Sequence, residues 1–247
     1  MNAAIVTARK GSKSIRDKNV YKVAGRPLVA YPIQAALDAN SIDRVYVSTD
    51  GEAIAEVSQN LGCEIIWRPE ELGGDSVNHG DVIKHAVEYV DTLVGGALEN
   101  VVLLLGNTVM VDDGVIDGAV QMLEGRPDLD SVMTVWEAAD DHPLRALEIH
   151  DGLLRPYGGA DRQVSTERQS YKKAYYYDQG VWAFRKECVQ RKEGPNPWWW
   201  MGKRSFPIVR AWVTGRDVHT HLDMAIAEWW LQHRNPSEVG SLEEELA

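Results

Sequence analysis

The sequence predicts an α/β fold in which a mostly parallel β-sheet is flanked by helices. Short apolar and β-branched runs alternate through the first half of the chain with amphipathic stretches of helix length. One run, Val101–Leu105, is apolar throughout, as expected of a strand covered on both faces. With 247 residues, 44% of them hydrophobic, the chain is long enough to bury a large core. We therefore expect a single domain over residues 1–247.

The predicted elements follow one another in a regular order. Through the first half, strands and helices are expected to alternate over Ala3–Thr7, Leu28–Ala39, Arg44–Ser48, Ala53–Leu61, Glu64–Trp67, Val82–Leu93, Val101–Leu105, Val115–Leu123 and Val132–Val135. Further regular structure is expected over Tyr175–Phe184 and Ile208–Val213, then a helix over Asp223–His233. The acidic tail, Glu238–Ala247, is expected to be frayed or peripheral.

Between Glu137 and Lys173 the alternation stops and the chain becomes polar. Within this segment Asp151 and Gly152 separate two short runs, Leu147–His150 and Leu153–Leu154, which is a hairpin signal. We therefore expect residues 137–173 to form a small inserted lobe that leaves the main sheet.

Composition limits the possible functions. The formal net charge is −11 and the sequence pI is about 5.1, which argues against nucleic acid as a partner. The sequence has no apolar span of membrane length, so no membrane partner is expected. The two cysteines, Cys63 and Cys188, are far apart in sequence and are expected to be buried thiols in a cytoplasmic protein.

Directly after the first predicted strand, the local charge reverses. Between positions 9 and 18 there are five cations and one acid, the cations being Arg9, Lys10, Lys13, Arg16 and Lys18. Gly11 lets the backbone turn closely around an anion, and Ser12 offers a hydroxyl and an N–H group. Ligands of open α/β sheets bind beyond the carboxyl ends of the strands, where this loop would lie. The loop therefore predicts a polyphosphate site, the alternative being an ordinary solvated basic loop.

Two common nucleotide-binding motifs are missing from the sequence. Neither G-x-x-x-x-G-K-[ST] nor G-x-G-x-x-G occurs anywhere in the chain. An ATPase of the P-loop type and a simple dehydrogenase therefore lose most of their support.

Four groups of residues together resemble a known family. They are Ala8-Arg-x-x-Ser-Lys with Lys18-Asn19; Val47-Ser-Thr-Asp-Gly51 with Ile54-Ala55; Arg68-Pro-x-x-Leu72 with Asp75; and Asp217-x-x-Thr-x-Leu-Asp223 with Ala227-Glu228. On these residues the chain resembles the cytidylyltransferases that activate 3-deoxy-ulosonic acids, especially the CMP-N-acylneuraminate (CMP-sialic acid) synthetases. The related CMP-Kdo synthetases, which act on 3-deoxy-manno-octulosonate, are similar too. The resemblance implies a Rossmann-like nucleotidyltransferase fold.

The same resemblance implies a set of nucleotide-binding residues. By match to the family, CTP would be held by Ala8, Arg9, Gly11, Ser12, Lys13, Lys18, Asn19, Arg68 and Asp75. Arg9, Lys18 and Asp217 would be the catalytic residues, because transfer to a hydroxyl needs a stabilised pyrophosphate leaving group. Mg²⁺ is the implied cofactor.

Two segments depart from the family pattern. Where the Kdo enzymes carry Gln-Gly-Asp-Glu-Pro, this chain has Leu105-Gly-Asn-Thr-Val109, so Asn107 replaces a carboxylate. Where the family has Asp-Ile-Asp, this chain has Asp217-Val-His219, which leaves Asp217 and His219 as candidate metal ligands. Asn107, Gln179 and Gly180 are the candidate substrate-binding residues by the same matching.

Several of these residues also have purely structural interpretations. Thr49 or Asp50 could cap the next helix, Arg68 could lie in a surface loop, and Asn107 could be a turn residue. His219 could be an ordinary histidine of an acidic loop. The run Trp198-Trp199-Trp200 could cover the mouth of a pocket or be buried in a lobe or dimer contact.

We therefore expect a cytidylyltransferase that couples CTP to a small anionic acceptor, a 2-keto-3-deoxy sugar acid of the sialic-acid type, to give a CMP-sugar and pyrophosphate. The alternatives are a cytidylyltransferase for Kdo or an alkylphosphonate, or a CTP-binding homologue without catalysis. By resemblance the protein would be a homodimer whose lobe, residues 137–173, reaches the partner. The cations of this lobe, Arg162, Arg168, Lys172 and Lys173, would face a substrate carboxylate or solvent.

Overall fold

The fold was obtained as a computed structural model, which describes residues 1–12, 14–74, 77–158 and 171–233. The strands are β1 (Asn2–Thr7), β2 (Lys22–Val23), β3 (Arg26–Pro27), β4 (Arg44–Thr49), β5 (Glu64–Trp67), β6 (Asn100–Leu105), β7 (Ser131–Glu137), β8 (Leu147–His150), β9 (Leu153–Pro156), β10 (Tyr175–Arg185) and β11 (Ser205–Val209). The α-helices are α1 (Ala30–Asp38), α2 (Glu52–Asn60), α3 (His79–Leu93), α4 (Asp113–Gly125), α5 (Cys188–Arg191) and α6 (His221–His233).

Within the described residues, seven strands form the central sheet, in the order β11-β7-β10-β6-β1-β4-β5. β1 pairs in parallel with β4 and β6, β4 with β5, and β11 with β7. β10 is antiparallel to both of its neighbours, β6 and β7. The predicted α/β fold with a mostly parallel sheet is confirmed.

Helices cover both faces of the sheet, and alternate residues of each strand contribute to two cores. On one face Val6 and Leu104 pack with Ile33 of α1 and Ile116 of α4. On the other face the strand residues pack against α3, α5 and Trp200. The side chains of β6 from Val101 to Leu104 are at most 1% exposed. This explains why β6 is apolar throughout rather than alternating.

Several element boundaries differ from the prediction. α3 begins at His79, three residues before the predicted Val82, because the Asn78 side chain caps it by accepting a hydrogen bond of 2.8 Å from Gly80 N. The regular structure predicted over Ile208–Val213 consists of two elements, since a strand covers Ser205–Val209 and a 3₁₀ turn follows at Trp212–Gly215. Pro207 is tolerated because β11 is an edge strand.

The chain leaves the main sheet between β7 and β10. β8 and β9 form a two-stranded antiparallel hairpin in which Ile149 is paired with Leu154. Asp151 and Gly152 connect the strands with φ angles of 52° and 75°, as the turn signal predicted. Residues 159–170 of the predicted lobe, with Arg162 and Arg168, fall outside the described residues, as does the acidic tail.

The two cysteines are buried free thiols. Burial raises the pKa of the Cys63 thiol to about 11, so it behaves as a small apolar core residue. Among the helices that the structure describes, none is long and apolar enough to cross a membrane.

The core of the sheet gives a direct test of the packing. Leu104 in β6 is fully buried, so Leu104→Ala is expected to lower the free energy of unfolding by about 2–5 kcal/mol. Leu222→Ala is the matched control, because Leu222 is 68% exposed on α6 and its truncation is expected to change stability by no more than about 0.5 kcal/mol. Urea unfolding of both variants measures the difference, and equal losses would contradict the assigned core.

Candidate functional site

A cavity of about 420 Å³ opens at the carboxyl ends of β1 and β6. Because the strands are parallel, these ends and the loops that follow them meet at the same edge of the sheet. The lining residues come from four stretches of the described chain and are Thr7, Ala8, Arg9, Ser12, Ser14, Lys18, Asn19, Arg68, Leu72, Gly74, Val77, His79, Val82, Leu105, Asn107 and His219.

The basic loop after β1 is fixed through its backbone. Asp50, which follows β4, accepts a hydrogen bond of 2.8 Å from Lys10 N, and the buried Asn19 side chain donates one of 2.9 Å to Arg9 O. Gly11 has a φ of 72°, which is unfavourable for other residues. These contacts define where the loop leaves and rejoins the edge of the sheet.

The cations of this loop do not all face the cavity. Arg9 and Lys18 line it, together with Ser12 and Asn19. Arg16 points away, because its side chain is 96% exposed and pairs with Asp17. Lys13 lies outside the described residues.

Lys18 links the basic loop to the segment before α6. Its Nζ donates a hydrogen bond of 2.7 Å to Val218 O. Burial lowers the pKa of Lys18, Asp217 and Asp223 oppose that decrease, and Arg9 adds to it. Lys18 is therefore a half-buried cation whose charge interacts with Arg9 and with the carboxylates of Asp217 and Asp223.

Asn107 and Asp217 meet although they are far apart in sequence. Asn107 Nδ2 donates to Asp217 Oδ2 at 2.8 Å, and Val218 N donates to Asn107 O at 2.8 Å. His219 Nε2 lies 2.8 Å from the same Asp217 oxygen. The structure thus brings Asn107, Asp217 and His219 into one cluster at the side of the cavity next to Lys18.

Gly106 allows β6 to approach β1 at this edge. A Cβ atom on Gly106 would lie 2.7 Å from the Cβ of Ala8, closer than two such atoms can approach. The Gly106 N–H group donates to Thr7 O at 2.9 Å. A larger residue at this position would displace the start of the basic loop.

Arg68 lies at the opposite side of the cavity. Its Nε and Nη2 donate to Ser48 Oγ at 3.0 Å and Ser48 O at 2.8 Å. Burial lowers the pKa of Arg68 to about 10, Asp50 opposes this decrease and Arg9 adds to it. Arg68 is therefore a fixed and partly desolvated cation rather than a flexible surface residue.

His79 is a site residue that the sequence reasoning missed. It is the first residue of α3, lines the cavity and makes a hydrogen bond of 3.0 Å between its Nε2 and Thr7 Oγ1. Burial and the nearby Arg68 lower the pKa of His79 to about 4, so the ring is neutral at pH 7. The available sequence signal was the cap residue Asn78 directly before it.

Some of the residues for which the sequence also allowed a purely structural interpretation can be assigned from their contacts. Thr49 Oγ1 accepts from Gly51 N at 3.1 Å, whereas Asp50 holds the basic loop instead of capping α2. Trp200 is 3% exposed and belongs to the second core, so the tryptophan run is buried at this residue. Trp199 packs on Gly80, because a Cβ atom on Gly80 would lie 2.5 Å from Trp199 Nε1.

Four of the predicted site residues that the structure describes do not line the cavity, namely Gly11, Gln179, Gly180 and Asp217. Gln179 accepts a hydrogen bond of 2.9 Å at its backbone oxygen from Thr108 Oγ1, and Gly180 donates its N–H to Asp178 Oδ1 at 2.7 Å. Both lie behind the cluster of Asn107 and Asp217 rather than at the cavity wall. Gly11 turns the basic loop without lining the cavity, and Asp75 lies outside the described residues.

The sequence and the fold can be compared with known proteins. The cytidylyltransferase family matches residues 3–191 of the chain. An N-acylneuraminate cytidylyltransferase of Escherichia coli O18:K1:H7 is 40% identical over 89 residues, which is 36% of this chain and 21% of that protein. An N-acylneuraminate cytidylyltransferase of Streptococcus agalactiae serotype III is 28% identical over 193 residues, 76% of this chain and 44% of that protein. The chain therefore spans less than half the length of these two relatives.

A solved structure shares the fold. It is a CMP:2-keto-3-deoxy-manno-octonic acid synthetase complexed with CTP, and it superposes with a TM-score of 0.68 at 16% identity. The match covers 94% of this chain and 99% of that one. The likeness extends the fold assignment beyond the residues that the family matches.

The neutral state of His79 gives a pH dependence. In the unfolded chain this histidine has its usual pKa of 6.5, whereas in the folded chain its pKa is about 4. The contribution of His79 to stability is therefore complete above pH 6.5 and is lost as the pH falls toward 4. When the pH is lowered from about 7 to about 5, the unfolding free energy of the wild type is expected to fall by about 2 kcal/mol more than that of His79→Gln.

The measurement is urea unfolding of the wild type and the variant at several pH values. His221→Gln is the control for the loss of a histidine side chain, because His221 is exposed on α6. Parallel stability curves for the wild type and His79→Gln would contradict the assigned environment of His79.

Proposed function

The chain belongs to the cytidylyltransferase family, and from that premise we propose that it couples CTP to a 2-keto-3-deoxy sugar acid of the sialic-acid type. The observation that carries this proposal is a cavity lined both by cations, Arg9, Lys18 and Arg68, and by the apolar side chains of Leu72, Val77, Val82 and Leu105. A nucleoside triphosphate has the same two parts, a charged triphosphate and a flat base.

The cationic end suits the triphosphate. Arg9 and Lys18 face the cavity beside Ser12 and Asn19, and charges of this kind stabilise phosphate oxygens. Asp50 and Asn19 hold the backbone of the loop at Lys10 N and Arg9 O, which favours a preorganised position for its cations. This preorganisation supports roles for Arg9 and Lys18 in binding and in stabilising the leaving group.

The apolar part of the lining suits the base. The side chains of Leu72, Val77, Val82 and Leu105 line the cavity together with Arg68 and His79. A neutral His79 ring offers a hydrogen bond without placing a second charge beside Arg68. In this proposal the pyrimidine lies in this part of the cavity.

The reaction joins the acceptor to the nucleotide in one displacement. The anomeric hydroxyl of the acceptor attacks the α-phosphorus, the new oxygen–phosphorus bond forms, and the bond to the β-phosphate oxygen breaks. Pyrophosphate leaves with the electron pair of that bond, and the hydroxyl proton goes to solvent. Arg9 and Lys18 stabilise the charge that develops on the leaving group.

The donor set next to Lys18 fits Mg²⁺. This ion is usually held by one or two carboxylates together with phosphate oxygens and water. Asp217 supplies a carboxylate beside Asn107 and His219, and among the described residues no three His, Cys, Asp or Glu side chains form a metal-binding group. We propose that Asp217 would hold the ion, with Asn107 and His219 orienting its carboxylate. When bound, Mg²⁺ supplies charge stabilisation at the phosphates.

The experiment that tests the function is pyrophosphate release from CTP and Mg²⁺ with a panel of acceptors. The panel contains N-acetylneuraminate, its deaminated and legionaminate-type relatives, Kdo and an alkylphosphonate. Turnover with a nine-carbon acid is the expected result. If only Kdo or only the phosphonate is turned over, that compound replaces the sialic-acid-type sugar as the proposed acceptor. CTP binding without any turnover would favour a non-catalytic protein.

The cationic end can be tested by one substitution. Lys18→Met removes the charge but keeps most of the stem, and kcat/KM is expected to fall about 100-fold because a fixed charge on the phosphates is lost. Lys22→Met in β2 is the matched control, since Lys22 is exposed and outside the cavity. Steady-state rates of pyrophosphate release decide the point, and equal rates for the two variants would remove Lys18 from the mechanism.

We also propose that the protein is a homodimer formed through the hairpin of β8 and β9. Ile149 and Leu154, which are paired across the hairpin, are 77% and 69% exposed. Leu147 lies on the same face and is 57% exposed. A two-stranded hairpin is marginally stable by itself in water, so this apolar face favours a covering partner, and a second copy is the simplest one.

The dimer proposal predicts a change of mass in solution. Ile149→Glu is expected to convert the dimer into a monomer, because a charge would be buried at the centre of the contact. Leu222→Glu is the control, since Leu222 is also exposed but lies on α6. Light scattering after size-exclusion chromatography measures the molar mass of the wild type and of both variants. A monomeric wild type would contradict the proposal.

A further inference from the structure

Three segments that are distant in sequence meet behind the cluster of Asn107 and Asp217. They are the loop after β6, the irregular part of β10 between Tyr177 and Trp182, and the chain between β11 and α6. Thr108 ties all three together, because its Oγ1 donates to Gln179 O and its backbone forms an isolated β-bridge with Asp217. The position of Asp217 therefore depends on how these segments are held.

Asp178 lies at the centre of this junction. Its side chain is fully buried, and its Oδ1 accepts hydrogen bonds from Thr134 Oγ1 and from Gly180 N. Gly215, two residues before Asp217, packs directly on it, since a Cβ there would lie 2.3 Å from the Cβ of Asp178. Asp178 thus fixes the irregular part of β10 against the segment that carries Asp217.

Arg210 faces Asp178 from the end of β11. Its side chain is 8% exposed, its Nη1 lies 3.6 Å from Asp178 Oδ2, and its Nη2 donates a hydrogen bond of 2.6 Å to Met110 O. The Arg210 side chain therefore reaches the loop that carries Asn107. The absence of a side chain at Gly180 leaves room for the Arg210 guanidinium, because a Cβ atom on Gly180 would lie 2.2 Å from Arg210 Nη1.

Stability alone does not explain this ion pair. Within the described residues neither Arg210 Nη1 nor Asp178 Oδ2 has a hydrogen-bond partner, although both atoms are buried. Burial raises the pKa of Asp178, and Arg210, Thr134 and Gly180 oppose that rise. Buried pairs with incomplete hydrogen bonding are often no more stable than apolar residues of similar size. What apolar residues could not reproduce is the set of directed contacts to Gly180, Thr134 and Met110.

We propose that Asp178 and Arg210 are positioning residues that set the placement of Asn107 and Asp217 at the reacting end of the cavity. For its catalytic consequence this inference rests on the proposed function. The base end is built by Ser48, Arg68 and His79, none of which contacts the ion pair directly. Loss of the pair is therefore expected to affect the reacting end more than the binding of CTP.

The test uses Asp178→Asn, Arg210→Met and the double variant. Asp178→Asn keeps an oxygen for Thr134 and Gly180 but leaves Arg210 without a counter-charge. The double variant removes both charges and is expected to recover most of the lost melting temperature, because no unpaired buried charge is left. The contact from Arg210 to Met110 O stays absent in it.

Asp130→Asn is the matched control. Asp130 also accepts hydrogen bonds from Arg191 and from two backbone N–H groups, but it lies immediately before β7, at the opposite edge of the sheet. The Asp130→Asn variant is expected to have a lower melting temperature than the wild type but the same kcat.

Two readouts separate positioning from stability. The first is amide hydrogen exchange over residues 107–111 and 211–219, which is expected to accelerate about tenfold in Asp178→Asn and in the double variant, but not in Asp130→Asn. The second is kcat, which is expected to fall about 10- to 100-fold in the same two variants while the CTP dissociation constant changes less than about fivefold.

Each outcome decides a different question. Unchanged exchange in these segments, or a double variant with full kcat, would overturn the positioning role. If the wild type releases no pyrophosphate with any acceptor, the proposed function fails, and the exchange data alone decide whether the ion pair places Asn107 and Asp217.

Discussion

The parallel pairing of β1 with β4 and β6 is the constraint on which the rest of the structure depends. Residues Ala3–Val6 are fully buried, and successive side chains enter opposite cores. A register shift of one residue would exchange the two faces, so the pairing is strongly fixed. Because both faces are covered, the free polar groups at the strand ends lie at the edge, where Gly106 N–H reaches Thr7 O. The cavity is a consequence of that arrangement.

The basic loop shows how a protein of net charge −11 can present a local positive site. Asp50 and Asn19 hold this loop through backbone atoms, Lys10 N and Arg9 O, so they fix its path without using the side-chain charges for the purpose. Lys18 returns to the cavity at the end of the loop, where it contacts Val218 O. The same hydrogen bond joins the basic loop to the segment that carries Asp217.

The two sides of the cavity differ in how they are built. On one side, Arg68 in the loop after β5 bonds to Ser48 of β4, and His79 at the start of α3 bonds to Thr7 of β1. The side with Asn107 and Asp217 depends on contacts between residues about 70 to 110 positions apart, such as Thr108 with Gln179 and Asn107 with Asp217. The antiparallel strand β10 makes this possible, since it passes between β6 and β7 and brings Asp178 under the cluster.

The sequence by itself determined the alternation of strands and helices, the hairpin at Asp151 and Gly152, and a basic loop at the end of β1. These features depend on local patterns, namely apolar periodicity, turn residues and a run of like charges. The sequence did not determine that Arg16 points away while Lys18 lines the cavity, that His79 belongs to the site, or that Gln179 lies behind it. Nor did it indicate that Asp178 and Arg210 face each other. Only the tertiary structure decided these points, because they depend on which distant segments the packed sheet brings within hydrogen-bond distance.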